Sequence, residues 1–423
     1  MARLRGRGEA MASTRKHRPD YQILLYMGLL MMLGLVVMYA IGPQRAYVLN
    51  LASGTNFGDT YFFAKQAISL ALALAAFFVV AKIPYRYFQK YASRLLVIAI
   101  AACVVLALAG LAHLGIAQCS NGACRWFDLG PLGSIQPAEF LKFAILIFTA
   151  GLLAARYRDG KLNDRDMTLV PVAVIALIAI VFVIGIQKDM GTGISLIAML
   201  AVMLHAAGLN RRIGLLLLGG ALVIGILLIV SAPHRMERIT AFFAGDETST
   251  QDPEGYHITH AKIALGTGGL LGVGIGNSVQ STGYLPEAIN DSVFAIMGEI
   301  FGFVGVTAII WMFWSLIRRI LHTADRLPNM TMRLMAVGVF GWLASHVLLN
   351  IAAMTGIIPL TGITLPLLSF GGTSMVFIAG GLGLVFQLSQ YTVNSNEVEG
   401  SSDADTRSRG RIRGARLSGR RSA

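Results

Sequence analysis

Long apolar runs alternate with short polar, mostly basic pieces along nearly the whole chain. Ten runs reach the length needed to cross a bilayer as a helix, at roughly 21–41, 61–83, 95–115, 139–155, 168–187, 192–208, 213–232, 292–317, 334–355 and 371–392. Residues 334–396 hold no Asp, Glu, Lys or Arg and are too long for one crossing, so the Gly-, Pro- and Thr-rich piece 356–370 divides them. The pattern predicts an all-α integral membrane protein of about ten transmembrane helices, with a large extracytoplasmic loop between spans 7 and 8. Residues 1–20 read as a basic cytoplasmic tail and 21–392 as one polytopic membrane domain. Residues 393–423 read as a disordered, Arg-rich cytoplasmic tail that lies on anionic lipid.

Composition agrees. Of the 423 residues, 55% are hydrophobic and only 13% charged, against about 25% charged in soluble domains. The net charge of +13 would suggest nucleic acid in a soluble protein. Here the positive-inside rule accounts for it without nucleic acid. With the N-terminus in the cytoplasm, 27 of the 35 Lys and Arg residues fall in the tails and inside loops. Ten crossings then place both termini in the cytoplasm. The first 20 residues are basic and polar, and a full-length span follows, which describes a retained anchor.

The eight basic residues outside that pattern are Arg45, Lys65, Arg125, Lys142, Lys188, Arg235, Arg238 and Lys262. Such cations on an outer face either meet an anionic ligand or pair with nearby acids such as Glu139, Asp189 and Glu237. Asp291 sits where a polar loop becomes apolar. It is either the N-cap of the next helix or a carboxylate held at the membrane surface to take a proton. Glu299 follows about two turns later, at membrane depth. The glycine-rich stretch 260–279 is expected to be re-entrant or surface-lying, its G-x-x-x-G spacing allowing backbones to approach. It lacks the G-x-G-x-x-G order of a dinucleotide site. His257 and His260 have no further ligands in sequence to make a metal site. Cys103 reads as packing. Cys119 and Cys124 are either a small disulfide loop or two thiols.

Four outer patches are more polar than a helical bundle requires. They are R-W-F-D-L-G-P-L-G-S-I-Q-P-A-E-F-L-K at 125–142, Q-K-D-M-G-T-G at 187–193, Y-L-P-E-A-I-N-D-S-V-F-A-I-M-G-E at 284–299, and N-I-A-A-M-T-G-I-I-P-L-T-G-I-T-L-P-L-L-S-F-G-G-T-S at 350–374. In the first, Glu139 and Lys142 are three apart and share a helix face. Taken in order, the patches resemble the shape, elongation, division and sporulation family, the bacterial peptidoglycan polymerases FtsW and RodA. In the fourth, Asn350, Gly356, Pro359, Thr361, Gly362, Pro366, Ser369, Gly371 and Ser374 all match. The chain departs from the pattern with Lys188 in place of Pro, Ile289 and Asn290 in place of His-Thr, Ser292 and Val293 in place of Phe-Ile, and Ile300 in place of a second acid. The Y-L-P-E-A wording and the long basic tail are closer to FtsW than to RodA.

The resemblance implies a glycosyltransferase that joins lipid-linked disaccharides at the outer leaflet, with Asp291 as general base. It implies Arg125, Lys142, Arg235, Arg238 and Lys262 as cations for the substrate pyrophosphate, and Glu139, Gln136, Asp189, Glu287, Glu299 and Ser369 as a supporting set. No tightly bound cofactor is expected. Asp189 and Glu139 either orient the cations or hold a divalent ion. The implied partners are lipid II, a class B penicillin-binding protein, other divisome membrane proteins and membrane lipid. The implied location is the bacterial cytoplasmic membrane at the division septum. Two other readings are a flippase for the lipid-linked precursor, suggested by Glu299 and the glycine-broken stretch, and a non-catalytic scaffold that recruits a transpeptidase.

The charge asymmetry makes a topology prediction. A cysteine placed at Ser249 is labelled by an impermeant reagent from outside, and one placed at Ser401 is not; the reverse pattern overturns the orientation.

Overall fold

The computed structural model describes residues 17–120, 123–130, 133–230 and 253–392. Both distal tails and most of the polar part of the long loop lie outside these residues. The expected spans appear as helices α1 (Tyr21–Ser53), α2 (Tyr61–Lys82), α4 (Ala92–Leu111), α5 (Pro137–Arg158), α6 (Arg165–Ile186, with π-helical ends), α7 (Met190–Ala207), α10 (Val293–Asp325), α11 (Met330–Met354) and α12 (Gly372–Leu388). Among the described residues these nine are long and apolar enough to cross a membrane. A further helix, α8 (Arg211–Val230), carries charge only at its first two residues and coincides with the seventh expected span. Two helices do not cross: α3 (Tyr85–Lys90) and α9 (Pro253–Thr267).

Side chains start several helices where the sequence supplies a short polar residue. Asp20 accepts from the Gln22 amide at the head of α1, Asp189 from Thr192 at α7, and Asn329 from Thr331 at α11. Helices α1 and α10 are each 33 residues long. At 1.5 Å per residue that is about 50 Å, well beyond the roughly 30 Å hydrocarbon core. Both therefore overrun the expected spans.

The centre of the bundle is α5, α11 and α12, whose apolar windows are 72% buried, while those of α2 and α4 are 22% and 28% buried and leave much of their surface to lipid. Lipid tails are as apolar as leucine, so close approach has to hold the helices together. Gly383 of α12 does this against α2: a side-chain carbon there would sit 3.0 Å from the Phe77 backbone.

The two ends of the bundle differ. At one end the first described residues meet the last ones: the His17 amide donates to the Gln390 carbonyl, the Asp20 amide to Ser389 Oγ, and Arg319 pairs with Asp20. The expected inside pieces gather here. Residues from 85–90, 154–158 and 327–333 surround a basic cavity of ≈ 960 Å³. The opposite end carries a small sheet absent from the all-α expectation. Strands β1 (Ala117–Ser120), β2 (Ala123–Asp128) and β3 (Ser134–Ile135) pair antiparallel in sequence order. Cys119 faces Cys124 in the register, and the two are disulfide-bonded. Thr373 Oγ1 donates to the Ser134 carbonyl and ties the sheet to α12.

The glycine-rich stretch is partly helical. Helix α9 takes it up to Thr267, and the glycines that follow lie against α10. Helix α10 breaks at Gly302 (φ 64°). An unbroken helix would run bonds from the Phe303 and Val304 amides to the Glu299 and Ile300 carbonyls. Instead those amides donate to Gly269 and Leu270 (2.9 and 3.1 Å), and those carbonyls accept from Val273 and Gly274 (2.9 and 3.1 Å). The glycine segment is thus spliced into the helix ladder and pairs these four backbone groups at the break.

Gly302→Ala is expected to destabilise the protein by about 2 kcal/mol or more, since it adds a positive-φ penalty to a backbone clash. Its added carbon would lie 2.7 Å from the Leu270 backbone. A melting temperature in detergent equal to wild type would show that the splice does not hold α10.

Candidate active site

At the sheet-bearing end, β2, the 187–190 and 286–291 loops, α5, α11 and the 361–374 loop surround a cavity of ≈ 530 Å³. Asp291 is on its wall. The helix after it starts at Val293, and its N-cap position is Ser292. Asp291 lies one residue outside, so the N-cap reading gives way. Ser292 Oγ donates to the Pro286 carbonyl (2.8 Å) and meets His257 Nε2 at 2.6 Å. With its own proton spent on Pro286, Ser292 must accept from that histidine nitrogen. Asn350 Nδ2 donates to the carbonyls of Asp291 (2.8 Å) and Ile363 (2.7 Å). This clamps the Asp291 loop onto the 356–371 loop. Asp291 Oδ2 lies 3.8 Å from where a side chain at Gly362 would begin, so glycine there leaves the carboxylate open on that side. Glu287 also lines the cavity, on a left-handed backbone (φ 49°), and accepts from Asn290 Nδ2 at 2.5 Å.

Arg125 enters from β2. Its Nε donates to the Gln187 carbonyl (3.1 Å) and its Nη2 to the Lys188 carbonyl (3.0 Å). Lys188 takes a left-handed backbone (φ 54°) and lines the cavity beside it. Asp189 divides its carboxylate. Oδ1 caps α7, and Oδ2 accepts from Gln136 Nε2 (2.9 Å), fixing that amide at the head of α5.

Lys142 does not line the cavity. It is fully buried below it, donating to Glu139 Oε1 (2.8 Å) and to His346 Nε2 (2.9 Å), with Nζ 5.0 Å from the Trp342 ring centre. Glu139 and His346 lie between it and the cavity, which both of them line. Lys142, expected as a pyrophosphate cation, is held instead in a buried ion pair and is absent from the cavity lining.

Three other expected members lie elsewhere. Lys262 is exposed on α9 beside Gly356, outside the cavity lining. Glu299 is buried and accepts from Ser278 Oγ (2.5 Å) and from the Val279 and Gln280 amides. It organises that loop and is absent from the cavity lining. Ser369 Oγ accepts from the Leu365 amide (2.8 Å) and holds a turn. Arg235 and Arg238 lie outside the described residues. His257 and His260 have separate partners, Ser292 and Gln280. Among the described residues no three His, Cys, Asp or Glu side chains come together as a metal would need. His346 was missed in the sequence. Its one signal was the single titratable residue in a span free of Asp, Glu, Lys and Arg, four before Asn350 and so on the same helix face.

The family described as cell cycle protein, of FtsW, RodA and SpoVE, matches residues 21–394. The chain is 32% identical over 385 residues to stage V sporulation protein E of Bacillus subtilis, covering 90% of this chain and 99% of that one. It is 32% identical over 380 residues to a probable peptidoglycan glycosyltransferase FtsW of Nitrosomonas europaea, covering 88% and 93%. Its fold is similar to a chain of a peptidoglycan synthase complex (TM-score 0.67, 24% identity, 88% and 97% covered) and to the rod shape determining protein RodA of Thermus thermophilus (TM-score 0.63, 23% identity, 89% and 98% covered). The fold is that of a multi-pass helical membrane protein.

Removing Lys142 leaves the Glu139 carboxylate buried without its cation. Lys142→Ala is expected to cost about 3–5 kcal/mol of stability. Thermal melts in detergent check this; a variant that melts like wild type while losing only substrate affinity would restore the clamp reading.

Proposed function

We infer what the chain does from one premise: it belongs to the cell cycle protein family of FtsW, RodA and SpoVE. It is a peptidoglycan glycosyltransferase that polymerises lipid II into glycan strands on the outer face of the cytoplasmic membrane. The observation that carries this reading is the setting of Asp291. It stands outside its helix, on the wall of a cavity shared with Arg125, at the bundle end opposite the basic loops.

The chemistry suits that arrangement. The donor glycan is α-linked to a polyprenyl pyrophosphate and the product is β-linked, so the displacement inverts. Asp291 takes the proton from the acceptor 4-hydroxyl. The acceptor oxygen bonds to the donor anomeric carbon as the bond from that carbon to pyrophosphate oxygen breaks. The pyrophosphate keeps the electron pair and leaves as an anion, so it needs cationic stabilisation and no acid. Arg125, on the same cavity, supplies it as a planar multi-donor cation. One base facing one cation differs from the paired carboxylates of glycosidases.

The role in septal synthesis, with a class B penicillin-binding protein as partner, rests on likeness to FtsW and SpoVE relatives. With both termini cytoplasmic, the cavity opens to the outer leaflet, where lipid II and a transpeptidase meet.

Asp291→Asn keeps the size and hydrogen-bonding shape of the side chain but cannot take a proton. With lipid II and the partner supplied, it is expected to lose about 100-fold or more of glycan synthesis on a gel while still expressing and pulling down the partner. A rate above about a tenth of wild type would sink the general-base assignment.

A further inference from the structure

The core ion pair beneath the cavity has a feature that stability alone does not require. The Lys142 ammonium has three protons and no acceptor capacity. Its 2.9 Å contact with His346 Nε2 therefore makes that nitrogen an acceptor, and the proton of the neutral ring sits on Nδ1. His346 is 2% exposed, and Nδ1 makes no hydrogen bond among the described residues. The Thr364 backbone lies beside the ring without meeting hydrogen-bond geometry. Glu139 is also 2% exposed; Oε1 is spent on Lys142, while Oε2 is buried with no described partner. Both residues line the cavity. Leaving one buried donor and one buried carboxylate oxygen unmatched costs about 1–3 kcal/mol each, more for the charged group.

The ring that accepts from Lys142 directs its N–H away from the lysine, and the carboxylate presents its second oxygen past it. One wall thus offers a fixed donor and a fixed acceptor on separate groups. An amide answers both, because it carries one hydrogen-bond acceptor and one donor. His346 is four residues before Asn350, one turn or about 5.4 Å along α11, and Asn350 holds the Asp291 carbonyl.

We propose that His346 and Glu139 form a subsite for a sugar acetamido group, His346 Nδ1–H donating to its carbonyl and Glu139 Oε2 accepting from its N–H, with Lys142 setting both from below. This rests on the polymerase reading of the same cavity and adds a specificity determinant to it: peptidoglycan sugars carry 2-acetamido groups, which plain hexoses lack.

The test is a double-mutant cycle between side chain and substrate, read as binding of labelled lipid II and of a lipid II analogue bearing hydroxyls in place of its acetamido groups. Wild type is expected to bind the analogue about tenfold or more weakly, the worth of a hydrogen bond to a charged group. His346→Leu is expected to lose about tenfold for lipid II and to change little for the analogue. His346→Gln, which can accept from Lys142 at one end and donate at the other, should restore most of the lipid II affinity. Wild type binding both ligands equally overturns the subsite, whether or not any variant folds. A well-folded His346→Leu that loses equally for both ligands overturns it too. The same wild-type preparation is scored for glycan on a gel. Acetamido-dependent binding without polymer would overturn the polymerase reading and leave the subsite standing.

Discussion

Hydrocarbon offers no hydrogen-bond partner to a peptide group, and the architecture follows from that constraint. Most of the chain meets it locally, as helices. Where the backbone must be irregular near membrane depth, it pairs with other backbone. The exchange between 269–274 and the break at Gly302 is the clearest case, with four bonds replacing two. It shapes the site indirectly. The break separates the first turns of α10 from the rest of the helix, and the spliced segment leads into the loop that Glu299 organises. That loop runs on to the turn carrying Asp291.

Charges obey the same constraint at greater cost. Two buried ionic groups in the described core are held by several partners each. Lys142 has Glu139, His346 and the Trp342 face, and Glu299 has a hydroxyl and two amides. The groups assigned to chemistry differ in being half-buried on a cavity wall. Asp291 and Arg125 are both of this kind. Their main-chain surroundings are tightly held, Asp291 by Asn350 through its carbonyl and Arg125 by its own bonds to residues 187 and 188. Rigid backbone with a solvent-facing functional group is the preorganisation that electrostatic catalysis needs.

Much of the site was written in local sequence because local rules place it. The Glu139–Lys142 spacing put both on one face, and the 356–370 break in a charge-free stretch put a loop beside Asp291. What misled was treating every outer cation and acid alike. Lys142 and Glu299 sit in the same motifs as Arg125 and Asp291, yet depth and direction separate them. A position in a motif carries neither.

Hydropathy and the distribution of Lys and Arg determined the spans and the expected orientation, because transfer into lipid is a property of each segment by itself. The same local logic marked the glycine-rich stretch as unlike a plain span. Pairing across the chain belongs to no segment. Asp291 could have been a cap or a base by sequence; the start of α10 at Val293 puts Ser292 at the cap position, and Asn350, 59 residues away, holds the Asp291 carbonyl beside the cavity. Lys142 could have been a clamp or a core ion; His346, 204 residues distant, decided that. Only the folded chain sets those distances, because they depend on which helices share the centre of the bundle and how closely their small residues let them approach.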